Sequence, residues 1–443
     1  MSEAQGASEV AGHAFSLVGE PFGWVILLLF VTGYYFIAME EKYHINKAKP
    51  ALFTGTFLFI LLGIYFASNG MDTAPLSHEV EILILEIAEI FFFLFVAMTI
   101  IESLIERGVF NALKNKLITK GYTYKQLFWV TGVIAFFLSP VADNLTTALI
   151  LSTVLITLDK TNRAFLVPGA INIVVAANAG GAWSPFGDIT TLMAWTAGKG
   201  AFVDFMSLFP ASIVGWAVTA WLLVRFVPEG KPVADTEAHE VKILRGGKVM
   251  IGIGVFTIAS AVSSEQFFHL PAMWGMMFGL SILKLYSYTL KRRHDCQVNI
   301  FGSMSKIEHD TLLFFFGILA AVGALHFVGF LAYAVKLYDM FSPTSVNIGV
   351  GILSAIVDNV PVMSAVLKAN PTLGLDQWLL VTLTAGIGGS LISFGSAAGV
   401  GVMGKLRGIY TFSAHMKFAW TIMVGYIISI AVWYVQFEIL GLY

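Results

Sequence analysis

The feature that most limits what this chain can fold into is a series of long apolar stretches, most of them long enough to cross a bilayer. A spanning helix needs about 20 predominantly apolar residues. Soluble domains usually carry about 25% charged residues, whereas only 12% of this chain is charged and 57% is hydrophobic. The chain cannot cover itself with a polar surface, so the sequence predicts an all-α polytopic membrane protein and excludes an ordinary soluble enzyme.

Charge and cysteine content exclude two further classes of protein. A net charge of −2 leaves no basic stripe that could neutralise phosphates, so nucleic acid is excluded as a partner. A single cysteine, Cys296, cannot form an internal disulfide or a thiolate metal site. The first 21 residues contain Glu3, Glu9 and Glu20 but no Lys or Arg. Because a signal peptide begins with a basic segment, we expect residues 1–21 to form a retained extracytoplasmic tail.

Four of the apolar stretches are interrupted by polar or helix-breaking sequence. The distribution of Lys and Arg along the chain indicates how each of them crosses the membrane. The stretches at about 125–158 and 344–369 are predicted to be re-entrant hairpins, and those at about 165–198 and 376–404 to be interrupted helices. With this topology and an outside N-terminus, every Lys and Arg lies in a cytoplasmic segment except three. Segregation of this kind is the positive-inside pattern, and it puts both termini on the extracytoplasmic side. The three exceptions are Lys199, Lys336 and Lys368.

The interruptions recur in the same order on both sides of a polar linker at 228–248. Residues 22–227 and 249–443 would each contain five spans and one hairpin. An odd number of crossings gives the two halves opposite orientations. The sequence therefore predicts an inverted-topology repeat, an architecture typical of secondary transporters. The matching segments are Asp143-Asn144 with Asp358-Asn359, and Gly180-Gly181 with Gly388-Gly389, followed by Asp188 in the first half and Ser396 in the second.

The two hairpins each place an Asp-Asn pair beside a proline in apolar sequence. A carboxylate at mid-membrane costs about 2.5 to 3.5 kcal/mol, and a helix broken near proline frees backbone carbonyls. Carboxylate, amide and carbonyl oxygens together favour a small alkali cation such as Na+. The alternative is that each Asp only caps the helix that follows it. The predicted cation ligands are Asp143, Asn144, Asp358 and Asn359.

The interrupted helices contribute further polar side chains. Asp188 is predicted to be a cation ligand or a proton-binding group, with a structural N-cap as the alternative. The second half carries a serine at the equivalent position, so the repeat is electrostatically uneven. The remaining candidates are hydroxyl and amide groups at the same breaks, namely Asn178, Ser184, Thr190, Ser393 and Ser396.

Two acidic residues on the third span are candidates for a proton relay. Glu86 and Glu89 are three residues apart and share a helix face. Intramembrane carboxylates are often functional, but pairing with a basic residue would explain them equally well.

Four segments together resemble the signature sequences of NhaD-type sodium/proton antiporters. They are SPVADNLTTALI at 139–150, NAGGAWSPFGDITT at 178–191, SAIVDNVPVMSAV at 354–366 and GGSLISFGSAAGVGVMG at 388–404. The resemblance implies a homodimer in a bacterial plasma membrane, with a scaffold domain and a moving transport domain. It also implies export of Na+ or Li+ in exchange for H+, a role in pH homeostasis, and no cofactor. The implied site residues are Asp143, Asn144, Asp188, Asp358 and Asn359.

Two alternative functions are weighed against antiport. A carrier of the same architecture could take a small anion such as a dicarboxylate, but carboxylates at the breaks would repel an anion. An intramembrane aspartyl protease could use Asp143 or Asp358 with Asp188 as a dyad, but the duplicated Asp-Asn pairs would then be unexplained. We therefore expect a transporter and not an enzyme. In the expected mechanism, Asp143 and Asp358 lie close together and Na+ and H+ compete for them.

Overall fold

A computed structural model describes residues 15–43, 45–232, 242–294 and 298–442. Most of the predicted N-terminal tail, the middle of the 228–248 linker and Cys296 lie outside these ranges. Within them the chain is helical and contains no β-strand. The prediction of an all-α protein is confirmed.

The helices of the first half alternate between long segments and short connecting ones. They are α1 (Pro21–Ala38), α2 (Glu40–Tyr43), α3 (Ala48–Ser68), α4 (Ala74–Glu106), α5 (Val109–Thr119), α6 (Tyr124–Ala142), α7 (Asn144–Leu158), α8 (Arg163–Gly181), α9 (Ile189–Thr196), α10 (Phe202–Met206) and α11 (Phe209–Leu223), which ends in a 3-10 turn at Val224–Phe226.

The second half follows a similar order. Its helices are α12 (Gly247–Gln266), α13 (Ala272–His294), α14 (Ile300–Lys306), α15 (His309–Phe327), α16 (Ala332–Met340), α17 (Pro343–Val357), α18 (Asn359–Ala369), α19 (Leu375–Gly388), α20 (Ala397–Lys405), α21 (Phe412–Met416) and α22 (Ala419–Tyr434), which continues into a π-helical turn at Val435–Ile439.

Nine helical segments of the described chain are long and apolar enough to cross a membrane. Helices suit this environment because they satisfy all backbone hydrogen bonds within one segment. The predicted span at 205–227 is divided into α10 and α11, with Pro210 in the first turn of α11, where its missing N–H is no loss. Helices α5, α14, α16 and α21 were not predicted from the sequence, because each is shorter than a span and lies in a connecting segment.

The first predicted hairpin doubles back on itself at Asp143. Helices of 19 and 15 residues are about 28 and 22 Å long at 1.5 Å per residue. The Tyr124 hydroxyl, at the start of α6, donates to Asp159 Oδ2, just beyond α7, over 2.7 Å. The chain must therefore reverse between the two helices. The Tyr124 hydroxyl, with help from Thr161, also holds the pKa of Asp159 below its ordinary value.

Two long apolar segments of the described chain each contain a short stretch that is not helical. The chain leaves helical conformation between α8 and α9, and again between α19 and α20. Each break is joined to the preceding interrupted segment by a serine in an equivalent position. Ser139 Oγ donates to the Ala177 carbonyl over 2.6 Å, and Ser354 Oγ donates to the Ala385 carbonyl over 2.7 Å.

Glycines allow the broken helices to pack directly on backbone. A Cβ at Gly180 would collide with the Phe136 carbonyl, and one at Gly388 would collide with the Gly351 carbonyl. The two contacts occupy equivalent places in the two halves. Close backbone approach of this kind is common where small residues line membrane helix interfaces.

The described chain divides into two compact units, and each draws on both halves of the sequence. The smaller contains the residues up to Phe91, with 308–342 and 364–372. Its core is formed by side chains from α1, α3 and α15, among them Leu58, Leu62, Phe66 and Ala324.

The larger unit contains residues 92–307, 343–363 and 373–443. At its centre lies α8, in which every residue from Phe165 to Gly181 is buried. Helices α11 and α22 pack through paired small residues, because Gly215 lies against Ser429 and Gly425 lies against Thr219. All the breaks described above belong to this unit.

We expect Gly180→Ala and Gly388→Ala each to destabilise the protein, because the new methyl group would meet backbone that cannot rotate away. Overpacking of this kind costs about 1 to 3 kcal/mol. Thermal unfolding of the detergent-purified protein measures it as a lower Tm. Gly252→Ala is the matched control, since its Cβ would meet open space. An unchanged Tm for Gly180→Ala or Gly388→Ala would contradict the close backbone packing.

Candidate functional site

The polar contacts of the larger unit converge on one carboxylate, Asp188. It lies at the end of the break between α8 and α9 and is only 3% exposed. Its Oδ1 accepts hydrogen bonds from the Thr190 backbone N–H and the Thr190 hydroxyl, both over 3.0 Å. Asp188 thus caps the N-terminus of α9, which was the structural role given as the alternative to ion or proton binding. The cap leaves Oδ2 directed at other groups.

An asparagine from each interrupted segment donates to Asp188. Asn144 Nδ2 donates to Asp188 Oδ2 over 3.0 Å, and Asn359 Nδ2 lies 3.3 Å from Asp188 Oδ1. Asn144 and Asn359 are the first residues of α7 and α18. Both are buried, with 4% and 2% of their surface exposed. The two halves of the sequence therefore meet at a single acid.

Asn178 extends this network to the break in the second half. Its Oδ1 accepts from Asn144 Nδ2 over 3.1 Å. Its Nδ2 donates to Ser390 Oγ and to Ser396 Oγ, both over 2.8 Å. Asn178, Ser390 and Ser396 are fully buried. The candidate site is therefore built from the starts of α7 and α18 and from both breaks.

Asp143 and Asp358 occupy equivalent and unusual backbone positions. Their φ angles are 56° and 81°, in a range that non-glycine residues seldom adopt. Asp143 caps α7, because its Oδ1 and Oδ2 accept from the backbone N–H and the hydroxyl of Thr146 over 2.7 and 2.8 Å. Asp358 is 8% exposed and close enough to Asp188 to interact with it electrostatically.

The predicted hydroxyl residues are buried around the same breaks. Ser184 Oγ donates to the Pro140 carbonyl over 3.1 Å, which satisfies an acceptor in the α6 arm and ties the first break to that arm. Thr190 bonds to Asp188, and Ser396 bonds to Asn178. Ser393 Oγ is buried without a hydrogen-bond partner among the described residues, so its oxygen lone pairs remain available.

Glu86 and Glu89 belong to the smaller unit. Glu86 Oε2 forms an ion pair with Lys368 Nζ over 2.6 Å, and the Lys368 side chain is only 12% exposed. Lys368 was one of the three basic residues placed on the extracytoplasmic side. Glu86 therefore fits the alternative in which an acidic residue of the third span is paired with a basic residue. Glu89, on the same face of α4, stays a predicted relay residue.

An apolar cavity of about 90 Å³ leads to the acidic residues within the larger unit. Asp143 and Asp188 lie among its lining residues, and its walls include Phe93, Phe186 and Met276. Phe93 and Phe186 pack with ring centroids 5.2 Å apart. The carboxylates are thus flanked by a largely apolar wall, beside which charge interactions are less screened than in water.

Two residues near the second break were missed by sequence reasoning. Ser390 directly follows the Gly388-Gly389 pair, so the repeat could have drawn attention to it. His415 lies in the short helix α21 and is fully buried. Its ring is hydrogen-bonded to the second break. No spacing or motif in the sequence connects it with the break.

This arrangement can hold a cation or a proton. Asn144, Asn359 and Asn178 each present an amide N–H₂ or, after a half-turn of the terminal amide, a carbonyl oxygen. With the carboxylate of Asp188 and the hydroxyl of Ser396, they could offer hard oxygen ligands to Na+. With their N–H₂ groups directed at the carboxylate, Asn144 and Asn359 stabilise an ionised Asp188 in the absence of a cation.

Comparison with known proteins places the chain in a family. A family model described as a citrate transporter matches residues 34–388. The Na+/H+ antiporter NhaD of Vibrio cholerae is 42% identical over 96% of this chain and 94% of its own length. The NhaD antiporter of Alkalimonas amylolytica is 42% identical over 93% and 90%. Sodium/proton antiporter 1 of Arabidopsis thaliana is 33% identical over 85% and 66%.

The first two of these relatives match more than nine-tenths of the chain. The resemblance noted in the sequence is confirmed, and with its apolar helices the chain is a multi-pass membrane protein. The chain belongs to the NhaD-type sodium/proton antiporter family.

Proposed function

We propose that this protein exchanges Na+ or Li+ for H+ and that the two ions compete for Asp188. The observation that carries this proposal is the convergence of Asn144 and Asn359 on that one carboxylate. A buried carboxylate is stable only if it is hydrogen-bonded, paired with a cation or protonated. The relatives named as Na+/H+ antiporters support the same pair of ions.

Competition at one carboxylate is sufficient to couple the two fluxes. Na+ binding requires an ionised Asp188, and protonation of Asp188 removes the charge that holds Na+. The nearby Asp358 disfavours a second negative charge, so it favours occupancy of the site by one cation or one proton at a time. If more protons than sodium ions move per cycle, each net charge gains about 2.3 kcal/mol per 100 mV of membrane potential.

Asp143 and Asp358 keep their proposed roles as ion-binding residues beside Asp188. Asp143 lines the cavity that also reaches Asp188. The remaining polar residues of the site are proposed either to bind the ion or to hold the residues that bind it. They are Asn144, Asn359, Asn178, Ser184, Thr190, Ser393 and Ser396. Glu89 remains the proposed relay residue in the smaller unit.

We also propose that the two halves form an inverted-topology repeat that moves by an elevator-like alternating-access mechanism. Equivalent contacts in the halves support the repeat, including the serine bonds from Ser139 and Ser354 and the glycine contacts at Gly180 and Gly388. A homodimer in a bacterial plasma membrane, with both termini extracytoplasmic, completes the proposal.

The description of the matching family model raises the anion-carrier alternative again, since citrate is an anion. The electrostatics of the network favour a cation instead. No Lys or Arg hydrogen-bonds to Asp188 or Asn178 in the described part of the chain, and the partners are amides, hydroxyls and a backbone N–H. A buried carboxylate without a basic partner would repel a carboxylate substrate. The relatives named as antiporters favour transport over the protease alternative.

We expect Asp188→Asn to reduce Na+-driven collapse of a pH gradient at least tenfold, since an amide cannot exchange a proton for Na+. The assay uses everted vesicles and an acridine dye, with Na+ or Li+ added after the gradient forms. The matched control is Asp339→Asn, which removes an exposed carboxylate on α16. Wild-type rates in Asp188→Asn would contradict the proposal. Citrate-dependent flux without a response to Na+ would favour the anion carrier.

Replacing either asparagine by alanine should raise the KM for Na+ by a similar factor, about tenfold, because each removes one polar group from the same carboxylate. A hydrogen bond to a charged group contributes about 1.5 to 3 kcal/mol. Initial rates of dye fluorescence recovery at varied Na+ concentration give KM for Asn144→Ala and Asn359→Ala. Asn172→Ala is the control, because this buried asparagine bonds to Phe128 and Trp216. A KM for Na+ that rises only in the control would contradict the proposal that Asn144 and Asn359 act on the same carboxylate.

A further inference from the structure

The histidine at position 415 has no place in the proposed ion-binding site, yet it is fully buried beside it. It belongs to α21, a helix of five residues. Its side chain is 0% exposed. A buried imidazole must use both ring nitrogens in hydrogen bonds or lose the free energy of their hydration. The partners of those nitrogens therefore indicate what the residue does.

Both ring nitrogens of His415 have partners, and the partners define one tautomer. Nε2 lies 3.1 Å from the Ser390 carbonyl oxygen and 3.2 Å from the Leu391 carbonyl oxygen. Because carbonyls only accept, Nε2 carries the hydrogen. Nδ1 lies 2.7 Å from the Tyr410 hydroxyl and accepts from it. Tyr410 is 1% exposed, so its hydroxyl is itself fixed.

The carbonyls that His415 holds belong to the break between α19 and α20. Here the chain has left the helix, and its backbone is kept in place by a few local turns, such as the Leu391 N–H bond to the Gly388 carbonyl over 2.9 Å. Carbonyls freed at a break need donors from elsewhere in the protein. His415 supplies one N–H to two successive carbonyls. It therefore restricts how this segment can rotate.

The same segment carries a side chain of the buried network. Ser390, whose carbonyl accepts from His415, also offers its Oγ to Asn178 Nδ2 over 2.8 Å. Asn178 in turn accepts from Asn144, which donates to Asp188. A continuous set of hydrogen bonds thus links the imidazole with the carboxylate. Rotation of residue 390 would remove one of the two acceptors that orient the Asn178 amide.

The imidazole is suited to a fixed, neutral role. Burial lowers the pKa of His415 to about 4, so the ring stays neutral at pH 7. A neutral ring with one donor and one acceptor matches the two carbonyls and the hydroxyl around it. If His415 exchanged protons during transport, its hydrogen-bond partners would have to change whenever the ring gained or lost a proton.

We propose that His415 is a positioning residue that sets the Na+ affinity by holding Ser390 where it orients Asn178. This inference rests on the proposed Na+/H+ exchange and deepens it. His415 touches no transported ion. Its effect reaches Asp188 only through the Ser390 backbone, the Asn178 amide and the Asn144 amide.

Two amide substitutions separate positioning from simple packing. In His415→Gln the amide nitrogen can take the place of Nε2 and still donate to the carbonyls of residues 390 and 391. In His415→Asn the shorter side chain reaches only the position of Nδ1, so the bond to the break is lost. The Na+ KM and the maximal rate are measured in everted vesicles, with rates divided by the amount of monodisperse protein.

We expect His415→Asn to raise the Na+ KM about tenfold, which corresponds to ~1.4 kcal/mol, with a much smaller change in maximal rate. His415→Gln should return the KM to within about threefold of wild type, or ~0.65 kcal/mol. A merely structural histidine would lower the amount and Tm of folded protein in both variants and leave the KM unchanged. That result, or equal KM values for Gln and Asn, would overturn the proposal.

Ser390→Ala keeps the proposal testable if His415→Asn fails to fold. It removes only the Oγ that Asn178 uses, so the KM should rise as in His415→Asn while the Tm changes little. If both single variants fold, the double variant should be no worse than either one, because the two residues act through the same amide. An unchanged KM for Ser390→Ala would contradict the path from His415 to the site. Absence of any Na+ response in the wild type would instead reject the proposed exchange itself.

Discussion

The structure depends on keeping one carboxylate, Asp188, buried in a chain that has very few charges to offset it. Ionised carboxylates are costly in an apolar interior unless donors or a cation surround them. The chain provides the donors from three separate places: the start of α7, the start of α18 and the start of α9. Each lies where a helix begins or is about to break. The break before α9 also frees the Thr190 backbone N–H for the carboxylate, since an unbroken helix would use that N–H within itself.

The packing of the larger unit follows from the same requirement. For Asn144 and Asn359 to reach Asp188, the helices that precede them must pack closely on α8 and α19. Glycines at 180 and 388 permit backbone contact, and the serines at 139 and 354 donate to carbonyls near the ends of α8 and α19. The two halves of the sequence have these glycines and serines in equivalent places. They differ in charge, because the first half has Asp188 where the second has Ser396. One acid serves both halves, which suits a site for a single monovalent cation.

Much of this could be predicted from the sequence, for a physical reason. In apolar stretches, prolines, glycines and acids stand out because each is costly there, so the spans, the breaks and the residues Asn144, Asn178, Asp188 and Asn359 were identifiable. The distances between them were not. The sequence made Asp143 and Asp358 the expected centre, whereas the hydrogen bonds converge on Asp188. Three further features could not be predicted from the sequence, since each depends on packing between segments far apart in the chain. They are the ion pair of Glu86 with Lys368, the short connecting helices and the burial of His415.

The central claim is that Na+ and H+ compete for Asp188. Isothermal titration of the purified protein with Na+, repeated in buffers of different ionisation enthalpy, counts the protons released per Na+ bound. The account predicts proton release in the wild type that increases as the pH is lowered into the range where the site is protonated. It predicts no release in Asp188→Asn. Sodium binding with the same proton release in Asp188→Asn as in the wild type would contradict it.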